Sequence, residues 1–141
     1  MQQIHVVILF AYEDFEYKDK LIKKLKHTSS DYKLTIWDES VIPAGGMPHK
    51  IKIRELYNAH IVILLLSSDF WIYYEEGEQL EILEIAKLRH LYYGTHLIPI
   101  LIKAHQRWED DELIKQLKFS PLGNSKNGFN ESDDNTWSLI E

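Results

Sequence analysis

The apolar positions of the chain follow two rhythms. Short, mainly apolar runs stand at 4–10 (IHVVILF), 61–66 (IVILLL) and 97–102 (LIPILI), the pattern of strands covered on both faces. Between 32 and 37 the pattern alternates instead, with Tyr32, Leu34 and Ile36 against Lys33, Thr35 and Trp37. That reads as a strand with one better-buried face, nearer a sheet edge. Pro99 inside the last run predicts a local break in the ladder or an N–H side left unpaired.

Helical spacing fills the intervals. Tyr17, Leu21, Ile22 and Leu25 recur with lysines opposite, predicting an amphipathic helix that Asp14 caps and that ends near His27. Pro48 suits the first turn of a second helix, with apolar positions Ile51, Ile53, Leu56 and Tyr57. Beyond the third strand, Ser67, Ser68 and Asp69 open a loop carrying the aromatic cluster Trp71, Tyr73 and Tyr74, which serves either as a surface contact or as cover for the core. A helix follows that turns Leu80, Ile82, Leu83, Ile85, Ala86 and Leu88 inward and stops at Gly94. Asp110 caps a further helix through Leu113, Ile114 and Leu117. Loops are expected at 28–31, at 38–47 (DESVIPAGGM, broken by Pro43, Gly45 and Gly46) and at 120–131. Ser132 or Asp133 then caps a last helix of about two turns, too short to be stable alone in water. The expectation is one domain, 1–141, cut from a longer protein.

Strands and helices in alternation predict an α/β domain: a flavodoxin-like parallel sheet of four to five strands with helices on both faces. At 141 residues the chain buries roughly two-thirds of its unfolded surface.

Composition removes several function classes. The net charge is −6, and the one basic cluster is helical, at 18–26, so direct binding to nucleic acid is not expected. The absence of cysteine excludes disulfides, thiolate metal sites and a cysteine nucleophile, and suits a reducing cytoplasm. Apolar runs such as 61–66 are far short of the roughly 20 residues that span a bilayer, so no membrane partner is expected. Seven histidines include no pair four residues apart on one helix, so no metal site is expected.

In open parallel sheets, ligands sit beyond the carboxyl ends of the strands. Candidate binding residues there are Phe10, Ala11 and Tyr12 after the first strand, Trp37 and Asp38 after the second, and Ser67 after the third. Tyr12 either stacks on a base or covers the core, and Trp37 and Asp38 either contact a nucleotide or cap an edge strand. Gly45 and Gly46 lack a P-loop pattern and read as turn glycines. Five glutamates follow, Glu75, Glu76, Glu78, Glu81 and Glu84, each of which taken alone is ordinary solvated helix surface.

Several segments together resemble a bacterial TIR (Toll/interleukin-1 receptor) domain. VILFAYED at 7–14 is similar to the family's first strand and its "FISYSHED" ending, and WDESVIPAGG at 37–46 to the loop called BB. LLLSSDF at 64–70 resembles "LLISPDF", HLIPILI at 96–102 resembles "RVIPVIL", and RWED at 107–110 resembles "DWED". SDDNTW at 132–137 falls where the family begins its last helix.

The resemblance implies an enzyme that cleaves NAD+ between nicotinamide and ribose, with NAD+ as substrate and no further cofactor. It would be the effector of a bacterial antiphage defence or immune signalling protein, activated by self-association into oligomers or filaments and joined to a sensor domain. Linear and cyclised ADP-ribose both remain open as products. A glutamate near the start of the helix after the third strand would be catalytic, because loss of nicotinamide builds oxocarbenium charge that a carboxylate stabilises. The family's aromatic–cysteine pair before that glutamate has no counterpart here. Counting from Ser67 favours Glu78 or Glu81, and counting from Gly94 favours Glu81 or Glu84. Glu81, followed by Ile82 and Ile85, fits the family's apolar spacing, with Glu84 one turn on as the substitute. The alternative is a non-catalytic TIR scaffold that signals through domain-to-domain contacts.

Overall fold

The computed structural model describes residues 2–28, 32–103 and 105–117. Within them four parallel strands, β1 (Gln2–Leu9), β2 (Tyr32–Trp37), β3 (Ile61–Leu66) and β4 (His96–Leu101), form one sheet in the order β2-β1-β3-β4. Five helices connect or flank them: α1 (Phe15–Thr28), α2 (Pro48–Asn58), α3 (Ser68–Tyr74), α4 (Gly77–Tyr93) and α5 (Glu112–Gln116). This is the flavodoxin-like arrangement the alternation predicts. The predicted loop 120–131 and the last helix after Ser132 or Asp133 lie outside the described residues.

Strand periodicity explains why the central runs carry no polar face. Val7, Leu9, Val62, Leu64, Leu66, Leu97 and Leu101 point to one side, into a core shared with Leu56, Phe70, Ile82, Leu83 and Ile114 of α2 to α5. Val6, Ile8, Ile63, Leu65 and Ile100 point to the other, against Leu21 and Leu25 of α1. Successive side chains alternate between faces, so a strand buried on both must be apolar throughout. β2 and β4 are the two edges, which suits the polar alternation of β2 and the proline in β4.

Several expectations are corrected. The aromatic segment after β3 is helix α3, not a loop. Ser67 caps it by accepting from the Phe70 N–H, and Trp71 and Tyr74 are buried in the core. Asp14 is no helix cap but a wholly buried residue of a short 3-10 turn, Tyr12–Asp14. In α4 Ile82, Leu83 and Ala86 are buried and Ile85 packs half-buried beside them, whereas Leu80 and Leu88 are exposed. In α2, Lys52 and Leu56 are buried and Tyr57 is exposed. Asp111 rather than Asp110 caps α5, accepting from the Ile114 N–H at 3.0 Å.

Leu64 has no exposed surface in the middle of β3, so Leu64→Ala should cost about 2–5 kcal/mol in chemical denaturation. Leu88→Ala, on the exposed side of α4, should change stability by no more than about 0.5 kcal/mol.

Candidate functional site

The carboxyl ends of the strands are joined by polar groups that the apolar sheet cannot accommodate elsewhere. After β1 the chain turns at Tyr12–Asp14, which places the Asp14 carboxylate inside the protein. One of its oxygens accepts the Ser67 hydroxyl from the end of β3 at 2.5 Å, and the other pairs with the Lys103 ammonium just beyond β4 at 2.8 Å. The hydrogen bond it donates to Asp14 holds the Lys103 pKa above its ordinary value. A buried carboxylate is costly unless paired and hydrogen-bonded, so one side chain fixes three strand ends together.

A second cluster forms where the segment after β2 meets α2, α3 and α4. Asp38 is buried and caps the 3-10 turn Glu39–Val41, accepting from the Ser40 N–H at 2.8 Å, with the Lys18 ammonium 3.6 Å away. Glu39 then pairs with Lys52 of α2 at 2.7 Å, and Lys52 also donates to the Gln79 side chain of α4 at 2.9 Å. Burial pushes the Lys52 pKa down, and the hydrogen bond and charge of Glu39 oppose that. The Tyr73 hydroxyl donates to the same glutamate, and burial with the Glu39 charge raises its pKa to about 12. Tyr73 is therefore a hydrogen-bond donor at neutral pH, not a base.

The rest of this loop is open. Gly46 donates its N–H to the Pro43 carbonyl at 3.0 Å, and Gly45 has φ +86°, a conformation glycine adopts without strain. Val41 and Met47 are exposed on either side of the turn. Pro48 then starts α2, and one residue on, His49 stands 3.4 Å from Glu81 and 3.9 Å from Glu78 of α4.

The candidate residues divide accordingly. Glu81 lies on the face of α4 that meets the start of α2, with its side chain 57% exposed. Glu84 turns towards α5: it is 3.4 Å from Lys87, which pairs with Asp111. Ser67 and Asp38 are buried and hold the crevice in shape. Phe10 and Ala11 are buried under it, so only their backbone can face a ligand, while Tyr12 is exposed beside them and Trp37 is half-buried against the core. Lys52, Gln79 and Lys103 were not among the candidates. Lys52 was detectable as the residue one helical turn before Leu56, on the inward stripe.

No helix of the described residues is long and apolar enough to cross a membrane. No protein-family model and no curated protein matches the chain. Among solved structures, the TIR domain of the Toll-related receptor TRR-2 from the lower metazoan Hydra magnipapillata is similar in fold, with a TM-score of 0.61 at 17% identity over 81% of this chain and 80% of that one. At that identity the likeness speaks for the backbone arrangement, and what it shows is that this chain has the fold of a TIR domain.

Proposed function

We propose that the chain is a TIR-type effector domain that releases nicotinamide from NAD+ when copies assemble, with Glu81 as the essential carboxylate. The observation that carries this reading is the position of Glu81. It stands on the second turn of α4, beside His49 and hence next to the 38–47 loop, at the carboxyl edge where a parallel sheet holds its ligands. Ile82, its neighbour, is wholly buried, so the backbone under the carboxylate is fixed by the core.

The same geometry supports a dependence on assembly. A carboxylate more than half in water stabilises developing positive charge weakly, because solvent screens it, whereas in a dry site the same group acts strongly. Among the described residues Glu81 stays more than half exposed, and a neighbouring copy would cover it. The exposed Val41 and Met47 on the adjoining loop are apolar groups that a neighbouring copy can cover. The reaction breaks the bond between the ribose C1 and the nicotinamide nitrogen. Nicotinamide leaves as a neutral ring, so no acid is needed to protonate it. Glu81 stabilises the oxocarbenium charge, and water or a hydroxyl of the substrate itself captures C1. A sensor, fused or separate, would supply the signal that brings copies together, as in an immune effector.

A second reading is favoured by the knot of Glu39, Lys52, Gln79 and Tyr73, which ties the base of the loop to α3 and α4 in a single copy. A loop so fixed also suits a non-catalytic scaffold that presents Val41 and Met47 to a partner.

The two readings separate in one assay. With copies clustered through a fused assembly tag, the enzyme reading expects nicotinamide release that Glu81→Gln lowers by about a hundredfold or more and that Glu84→Gln leaves within about threefold. Clustered protein that leaves NAD+ intact supports the scaffold instead. Gly46→Ala addresses the loop: the added methyl would meet Ile42 Cγ2 at 2.8 Å and Ile51 Cδ1 at 3.2 Å. The loop must shift, so self-association measured by light scattering should weaken, with the thermal midpoint lowered only slightly. Unchanged assembly would remove the loop from both readings.

A further inference from the structure

At the opposite end of the sheet a hollow of about 550 Å³ opens between the ends of α2 and α4 and the starts of β1, β3 and β4. That volume falls within the range of roughly 300–1,000 Å³ usual for small-molecule sites. The six residues of β3 put it about 20 Å from the carboxyl edge, so it is separate from the site around Glu81.

Its central group is Arg89. The guanidinium lies against the Tyr57 ring at 4.9 Å and the Tyr93 ring at 4.7 Å, and one terminal nitrogen donates to the Tyr57 carbonyl at 3.1 Å. Its Nε is buried without a hydrogen-bond partner, and among the described residues no carboxylate pairs with it. A strut between two helices would need neither the hollow nor the unmet donor. An oxyanion in the hollow would meet the charge through the outer guanidinium N–H groups.

The walls narrow the class of anion. His60 accepts the His5 N–H on its Nδ1 at 2.9 Å, so its Nε2 carries the proton and is a donor. His96 is exposed on the same rim. Tyr57 and Tyr93 are 55% and 68% exposed, which leaves ring surface free to stack against a flat group. We propose that this hollow binds a small anion that joins a flat ring to a phosphate, of the nucleoside monophosphate class. The phosphate is held by Arg89 with help from His60 and His96, and the ring lies on a tyrosine.

The test is an NMR titration of the isotope-labelled chain with AMP, adenosine and inorganic phosphate in parallel. The proposal expects AMP to move the signals of Tyr57, His60, Tyr93 and His96 and to bind about tenfold more tightly than either fragment. Arg89→Gln should weaken AMP by about tenfold or more, through loss of the charged hydrogen bonds. Should that variant fold poorly, Tyr93→Ala and His96→Ala, both at exposed side chains, are expected to weaken AMP with an unchanged melting curve. Glu81→Gln should leave AMP binding as it was, which separates this site from the proposed NAD+ chemistry. No shifts in these residues, phosphate alone matching AMP, full affinity in the exposed-residue variants, or shifts confined to the carboxyl edge would each overturn the proposal.

Discussion

The carboxyl edge of this sheet depends on one buried carboxylate. Asp14 has no access to water, and it is held by a hydroxyl from the end of β3 and an ammonium from beyond β4. Loss of the Lys103 ammonium would leave the Asp14 carboxylate without a counter-charge in a low-dielectric interior, and loss of the Ser67 hydroxyl would remove its buried hydrogen bond. The three strand ends therefore stay in register with each other, and the surface that any ligand of this edge would meet is rigid at its base. Lys52 performs the equivalent service one layer out, drawing Glu39, Gln79 and Tyr73 around a buried ammonium and so fixing the loop after β2 against α3 and α4.

Around these two knots the arrangement passes from rigid to open in a short distance. Glu39 is anchored, whereas Val41, Met47 and Glu81 are exposed. That gradient is compatible with the proposed assembly-dependent site: positions fixed in the single copy, and a carboxylate whose surroundings a neighbouring surface would dry. The amino edge differs in kind. There the polar group is the cation of Arg89, flanked by tyrosines rather than by acids.

What could be read from the sequence followed the hydrophobic pattern. Central strands β1 and β3 announced themselves because burial on both faces forbids polar residues, and Pro99 marked β4 as an edge strand. The failures share one cause, since periodicity records which residue types occur and not which polar ones are buried. Asp14 looked like a helix cap because an aspartate before a helix usually is one. Helix α3 was hidden by an aromatic and acidic composition that resembles a loop, although Phe70, Trp71 and Tyr74 fall on one helical face. Lys103 carried no signal, for nothing local reveals that its partner lies on another strand. The inward face of α4 beside Glu81 was legible through Ile82, while the Arg89 hollow joins residues from three distant stretches of the chain and has no motif.

The central claim is that NAD+ occupies the crevice between the 38–47 loop and the first turns of α4. Hydrogen exchange on the clustered chain, with and without a non-hydrolysable NAD+ analogue, tests it most directly. The account predicts slower exchange in 38–47 and 77–84 on adding the analogue, with 57–61 and 93–96 unchanged. Unaltered exchange in both carboxyl-edge segments, or protection confined to the amino edge, would contradict it.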